Sequence, residues 1–96
     1  MADWFVNSRI GENKVTVFVK EGCPYSRNVM DILMEYNFAP GALERVDITR
    51  RQDIQDYFHQ RVPCVYIGRH CLGGLCELRN LCWRLPTILQ QIGALQ

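Results

Sequence analysis

The sequence predicts an α/β fold in which helices cover one small mixed sheet, and three stretches of the chain support this prediction. Residues 14–19 are apolar and largely β-branched, a pattern typical of a strand buried on both faces. Helically spaced apolar residues follow from Tyr25, and residues 43–49 form a second strand candidate. Strand, helix and strand in this order predict a βαβ unit with a right-handed parallel crossover.

The first predicted helix has a defined end. Its apolar positions at helical spacing are Val29, Ile32, Leu33 and Tyr36. Asn37, followed by Pro40 and Gly41, supplies a stop signal, because these residue types favour turns over a continued helix. We therefore expect this helix to span residues 25–36.

The middle of the chain predicts a second helix and two further strands. Residues 52–60 place their apolar side chains on one helical face, and residues 62–67 form a third strand. Residues 68–70 form the turn into a short strand at residues 71–72. A glycine pair at residues 73–74 then breaks the chain.

The C-terminal part, residues 75–96, predicts two short helices, because its apolar periodicity is interrupted by Pro86. No repeat, low-complexity tract or linker divides the 96 residues, so we expect a single domain over residues 1–96.

The charge balance excludes some classes of partner. Eleven lysine and arginine residues oppose ten acidic residues, a formal net charge of +1, so we expect neither a nucleic-acid nor a membrane partner. No apolar run reaches the roughly 20 residues of a spanning helix. The N-terminus lacks the basic start and apolar stretch of a signal peptide, so we expect a cytoplasmic protein.

Five cysteines are many for this length, and their odd number leaves at least one thiol free. Four of them, with His70, carry side chains that can bind zinc, but no C-x-x-C pair occurs, so we expect no metal. We expect instead small core side chains and one or two exposed, oxidisable thiols among Cys64, Cys71, Cys76 and Cys82. His59 is interpreted as a surface residue.

Cys23 is the strongest candidate for a reactive residue. It lies where the first strand meets the first long helix, where unpaired N–H groups and the helix dipole stabilise negative charge. Pro24 suits the first helical position, and Lys20 and Arg27 add positive charge nearby. This environment lowers a thiol pKa and favours a nucleophile over the alternative, a buried structural cysteine.

Three motifs in order resemble glutaredoxins over nearly the whole chain. They are Lys20 with residues 22–25 (Gly-Cys-Pro-Tyr), residues 62–63 (Val-Pro) before residues 66–68 (Tyr-Ile-Gly), and residues 73–74 (Gly-Gly) before residues 76–77 (Cys-Glu). The chain is most similar to the dithiol glutaredoxins of vertebrates and their viruses. The resemblance implies a thioredoxin-like fold with a small mixed four-stranded sheet flanked by helices.

The resemblance also implies a groove for glutathione, which would be the co-substrate. Cys23 would be the attacking nucleophile and Tyr25 would line the groove. Lys20, helped by Gln55, would hold the glycine carboxylate.

The other half of the implied groove comes from the Val-Pro and Gly-Gly motifs. Val62 would pair its backbone with the cysteine part of glutathione, and Pro63 would be cis. Gly73 and Gly74 would allow close approach, and the helix start at Cys76 and Glu77 would receive the γ-glutamyl carboxylate. Glu77 replaces a usual aspartate and would reach the amino group of the same moiety.

The largest departure from the family is Ser26, where dithiol members carry a second cysteine. The chain therefore keeps only the monothiol route, in which a second glutathione attacks the Cys23 mixed disulfide. Ser26 can still donate a hydrogen bond to the sulfur. A second departure is a shortened segment before Val62, where Arg61 either contacts the glutathione carboxylates or points into solvent.

These observations predict a glutathione-dependent thiol-disulfide oxidoreductase. Its partners would be glutathione and glutathionylated proteins or small disulfides, and we expect a monomer. Two alternatives remain: a glutathione-ligated iron–sulfur cluster carrier, and a regulatory module that kept the fold and lost turnover.

Overall fold

The computed structural model describes residues 2–96 and contains a mixed four-stranded sheet, as predicted. The strands are β1 (Val15–Val19), β2 (Leu43–Asp47), β3 (Cys64–Ile67) and β4 (His70–Gly73), arranged in the order β2-β1-β3-β4. The β1–β2 pair is parallel, which confirms the predicted parallel βαβ pairing, and the other two pairs are antiparallel.

Within the described residues 2–96, five helices flank the sheet. They are α1 (Ala2–Arg9), α2 (Pro24–Leu33), α3 (Gln52–Tyr57), α4 (Leu75–Leu81) and α5 (Leu85–Gln91). The last two confirm the two short helices expected after the glycine pair. Within residues 2–96, no helix has both the length and the apolar character needed to cross a membrane.

The hydrophobic core lies on both faces of the sheet. All five residues of β1 are buried, which confirms the prediction of a strand covered on both sides. One cluster joins Val17 to buried residues of α2, α4 and α5, and the other joins Phe18 to buried residues of α1 and α3. The sheet therefore lies between two helical layers, and the ends of its strands can contribute residues to a site.

The N-terminal helix α1 was not predicted from the sequence. Only Val6 of its eight residues is buried, so the stretch has too little apolar periodicity to reveal a helix. Tertiary contacts hold it instead: the Thr16 hydroxyl donates to the carbonyl of Arg9 at 3.0 Å, and the Arg51 guanidinium lies over the Phe5 ring.

Two predicted helices end earlier than expected. Helix α2 ends at Leu33 because its last bonds tighten: the N–H of Tyr36 donates to the carbonyl three residues back. Helix α3 ends at Tyr57 because His59 and Gln60 both adopt positive φ angles, 53° and 63°, which no helix allows.

The boundaries of two predicted strands also change. Strand β3 begins at Cys64 and excludes Val62 and Pro63, whose connecting peptide bond is cis. Strand β4 extends from His70 to Gly73, beyond the predicted residues 71–72, and a register shift between Val65 and Tyr66 accommodates it.

Candidate functional site

Cys23 is the N-cap residue of α2 and ends the short loop that connects β1 to this helix. Its backbone is extended (φ −87°, ψ 115°), and Pro24 occupies the first helical turn. Gly22, with a φ of 78°, makes the preceding turn, and the N–H of Cys23 donates to the carbonyl of Lys20 at 3.3 Å. The thiol is partly exposed, so a substrate can reach it.

The surroundings of Cys23 favour its thiolate. Burial by itself raises the pKa of this thiol, but the N–H and hydroxyl of Ser26, the N–H of Tyr25 and the charge of Lys20 together lower the pKa below its ordinary value. The lowered pKa agrees with the expectation for a cysteine at a helix N-terminus.

Ser26 lies one turn along α2 and is 5% exposed. Its hydroxyl accepts a hydrogen bond from the backbone N–H of Lys20 at 3.3 Å. The serine thus joins the helix to the loop that precedes Cys23. It has no sulfur atom with which to form a disulfide bond to Cys23.

The Val62–Pro63 segment faces Cys23 from the far side of the site. The peptide bond between these residues is cis, as predicted, and the Val62 carbonyl oxygen lies 4.0 Å from the Cys23 sulfur. Because this carbonyl lies beside the sulfur, the backbone of Val62 is available to form hydrogen bonds with a ligand that is joined to Cys23.

A groove of about 880 Å³ extends from this point across the protein. Six residues predicted for glutathione binding line it together: Tyr25, Val62, Pro63, Gly74, Cys76 and Glu77. Tyr25 is 62% exposed at the rim. Residues from three separate sequence motifs therefore meet on one surface.

A second, smaller cavity of about 320 Å³ continues on the other side of Val62. It is lined by Lys20, Cys23 and Gln55, with Gln60 at its edge. Cys23 thus opens into the smaller cavity together with the lysine predicted to hold a carboxylate, and Val62 lines both this cavity and the groove.

The hydrogen bonds of Gln55 disagree with its predicted role. The side chain is 4% exposed, and its amide nitrogen donates to the carbonyls of Ile48 at 3.1 Å and Thr49 at 2.9 Å. Both amide hydrogens are therefore used, and only the oxygen remains, which repels a carboxylate. Gln55 fixes the connection between β2 and α3 and is not a carboxylate donor in this structure.

Glu77 caps α4. One of its carboxylate oxygens accepts the N–H of Gly74 at 2.7 Å, and this bond is the first cause of a lowered Glu77 pKa. A β-carbon on Gly73, whose φ is 124°, would lie 2.7 Å from the same carboxylate oxygen. A β-carbon on Gly74 would lie 3.2 Å from the Pro63 carbonyl, so both glycines permit these close contacts within the protein.

Several groove residues were not predicted from the sequence, or their role there stayed open. Arg61 and Arg79 both line the groove and supply cations there, and His59, expected at the surface, lines it too. Arg79 follows Cys76 by three positions on α4, so helical spacing from the predicted Cys76 could have indicated it.

The remaining cysteines match the expected mixture: Cys64 is buried, whereas Cys71 and Cys76 are exposed. Within the described residues 2–96, no cluster of three or more histidine, cysteine or acidic side chains has an arrangement that could hold a metal ion.

Known sequences match this chain over its length. The family model named Glutaredoxin matches residues 15–72. Glutaredoxin-1 of Gallus gallus is 51% identical over 100 positions, covering 99% of each chain. Glutaredoxin-1 of Homo sapiens is 45% identical over 106 positions and covers 100% of both, and that of Vaccinia virus (strain Copenhagen) is 41% identical over 107 positions, covering 100% of this chain and 98% of its own.

Solved structures share the fold. A buckwheat glutaredoxin–glutathione complex superposes with a TM-score of 0.85 at 23% identity, over 100% of this chain and 94% of that one. Oxidised glutaredoxin 2 from Chlamydomonas reinhardtii gives a TM-score of 0.81 at 28% identity, over 98% and 95%. The fold is thioredoxin-like, and the chain belongs to the glutaredoxin family of thiol-disulfide oxidoreductases.

Proposed function

We propose that this protein reduces glutathione mixed disulfides by a monothiol mechanism through Cys23. The observation that carries the proposal is a partly exposed thiol with a lowered pKa in the smaller cavity, beside the Val62 carbonyl that borders the groove, with a serine one helical turn away. A thiolate is the reactive form in disulfide exchange, so this placement suits attack on a bound disulfide.

Glutathione would occupy both cavities with its sulfur beside Cys23. Lys20 would hold the glycine carboxylate in the smaller cavity, and the backbone of Val62 would pair with the central cysteine. The γ-glutamyl end would reach Gly74, Cys76 and Glu77 in the larger groove.

The γ-glutamyl end carries both a carboxylate and an amino group. The first N–H groups of α4 suit the carboxylate, as predicted for Cys76. One Glu77 oxygen is used by Gly74, which leaves the other to accept a hydrogen bond from the amino group.

The reaction would proceed by two exchanges. The Cys23 thiolate attacks the glutathione sulfur of the mixed disulfide, and the protein or small thiol leaves as a thiolate. A second glutathione thiolate then attacks the Cys23-bound glutathione, which releases oxidised glutathione and restores the Cys23 thiolate. Because Ser26 has no sulfur, an external thiol must complete the cycle.

We also propose that the protein works as a monomer in the cytoplasm on glutathionylated proteins and small disulfides. Five free thiols in one short chain are compatible with a reducing compartment.

The central experiment measures glutathione-coupled reduction of a small glutathione mixed disulfide. We expect turnover by the parent chain, full loss in Cys23→Ser, and near-parent turnover in Cys82→Ser, which removes a thiol outside both cavities. Turnover retained in Cys23→Ser would contradict the proposal, and a parent chain without turnover would favour the regulatory alternative.

A visible absorption spectrum distinguishes the iron–sulfur cluster carrier from the thiol transferase. A cluster carrier purified without oxygen absorbs visible light, whereas a thiol transferase is colourless. Visible absorption that disappears in Cys23→Ser would favour the carrier.

A further inference from the structure

Two cysteines that the Cys23 mechanism does not use lie side by side on neighbouring strands. Cys64 on β3 and Cys71 on β4 place their sulfur atoms 3.3 Å apart. We propose that they are a second thiol–disulfide site, which forms a reversible intramolecular disulfide by exchange with oxidised glutathione or another small disulfide.

The strand geometry brings the two sulfurs together. Strands β3 and β4 are antiparallel, and Tyr66 pairs with Cys71 across a register shift at Val65. A disulfide bond requires a sulfur separation of about 2.0 Å, so closure needs the sulfurs to approach by only about 1 Å. Small side-chain rotations on two hydrogen-bonded strands can supply this movement.

The two thiols differ in accessibility, which assigns their order of reaction. Cys71 is exposed, whereas Cys64 is 5% exposed. Burial first, and then the hydrogen bond and charge of Cys71, raise the pKa of the Cys64 thiol. Cys71 is therefore the thiol that meets the incoming disulfide.

Modification of Cys71 also prepares Cys64 for the second step. Once the Cys71 sulfur is bound to glutathione, it can no longer become a thiolate, carry charge or accept a strong hydrogen bond from the Cys64 thiol. Two of the three causes that raise the pKa of Cys64 then disappear. The Cys64 thiolate, which is needed for the second exchange, therefore forms more readily.

The electron and proton balance is complete without another reactant. The Cys71 thiolate attacks one sulfur of oxidised glutathione, and one glutathione thiolate leaves. The Cys64 thiolate then attacks the Cys71 sulfur and displaces the second glutathione. The two cysteine protons pass to the two leaving thiolates, so the protein dithiol is oxidised and one oxidised glutathione becomes two reduced molecules.

The site is reachable and does not depend on Cys23. Both cysteines line the 880 Å³ groove, together with Pro63 and Gly73, so a small disulfide has access to Cys71. Cys23 takes no part in either exchange. The inference can therefore be tested in a Cys23→Ser chain, and its failure is distinguishable from failure of the proposed function.

The experiment treats the full Cys23→Ser chain with oxidised glutathione, blocks free thiols by alkylation, and maps tryptic peptides by mass spectrometry. Cleavage after Arg61, Arg69 and Arg79 separates Cys64 in residues 62–69 from Cys71 in residues 70–79. We expect the two peptides to be joined by a disulfide, and reduced glutathione should separate them again. Because residues 70–79 also contain Cys76, the same result is expected when Cys76→Ser is added.

Single substitutions test the assigned order. In Cys64→Ser, the exchange should stop with glutathione retained on Cys71, and in Cys71→Ser, Cys64 should remain a free thiol. Cys82→Ser is the matched control and should keep the cross-link. The proposal is overturned if Cys71 keeps glutathione while Cys64 is present, or if the joined peptides persist without Cys71.

Discussion

The backbone N–H of Lys20 donates a hydrogen bond to the hydroxyl oxygen of Ser26 at 3.3 Å. This bond joins the loop before Cys23 to the first turn of α2, and the same serine helps to lower the pKa of the Cys23 thiol. A residue that cannot resolve a disulfide therefore still supports the thiolate that starts the reaction.

The first prediction concerns the ionisation of Cys23. Peptide-resolved alkylation rates against pH should show an inflection for Cys23 below the value of about 8.5 for a free thiol, because the N–H groups and hydroxyl around it favour the thiolate. Ser26→Ala should move the inflection upward, since the hydroxyl contribution is lost. An inflection for Cys23 at or above the free-thiol value contradicts the account.

The second prediction concerns Lys20. Lys20→Gln should raise the KM for glutathione substrates by about 5-fold, the equivalent of about 1 kcal/mol for an exposed ion pair, and change kcat little. The bond to Ser26 uses the Lys20 backbone and survives the substitution. Arg84→Gln, which removes an equal charge outside both cavities, should leave KM unchanged. An equal loss with disulfides that lack glutathione would refute the carboxylate assignment.

The third prediction concerns Gly73. Gly73→Ala should reduce the free energy of unfolding by about 1–3 kcal/mol, because alanine is strained at a φ of 124° and its β-carbon would lie 2.7 Å from the Glu77 carboxylate. Urea denaturation measures the change. Gly11→Ala, where only the flexible Lys14 side chain comes close, is the control and should change stability little. Equal effects from the two variants would show that the Gly73 conformation is not required.

The fourth prediction concerns Glu44, which forms ion pairs with Lys14 and Arg9. Burial raises the pKa of Glu44, but hydrogen bonds and charges from Lys14 and then Arg9 outweigh it and lower the pKa. A lowered folded pKa means that the stabilisation is present above the unfolded pKa and disappears as pH falls through the folded one.

Glu44→Gln should therefore cost about 1 kcal/mol at neutral pH, and the difference from the parent chain should vanish in acid. Urea denaturation from neutral to acidic pH measures it. Asp31→Asn, a change on α2 outside these ion pairs, is the control. A difference for Glu44→Gln that persists unchanged in acid would contradict the ion-pair assignment.

Much of the fold and the nucleophile could be predicted from local sequence. The buried strand before Cys23 and the proline after it are read from neighbouring residues, because burial pattern and helix-start chemistry are local properties. Helix α1 could not be predicted, since it is held by contacts such as that between Thr16 and Arg9, which periodicity does not record.

The parts of the site that were missed depend on distant contacts. Gln55 is a polar residue on a short helix, and nothing in its neighbourhood reveals that two backbone carbonyls use its amide hydrogens. The contact between Cys64 and Cys71 depends on a strand register with a shift, which the sequence does not specify.

The most direct test of the monothiol mechanism follows Cys23 itself after treatment with oxidised glutathione. Trypsin releases Cys23 in residues 21–27, which contain no other cysteine. The account predicts one long-lived glutathione on this peptide, because no thiol stands at Ser26 to displace it. In Ser26→Cys, the same peptide should instead lose glutathione and two hydrogens as an internal disulfide forms. A parent chain whose Cys23 is found joined to another of its cysteines, or which reduces protein disulfides efficiently without glutathione, would contradict the monothiol mechanism.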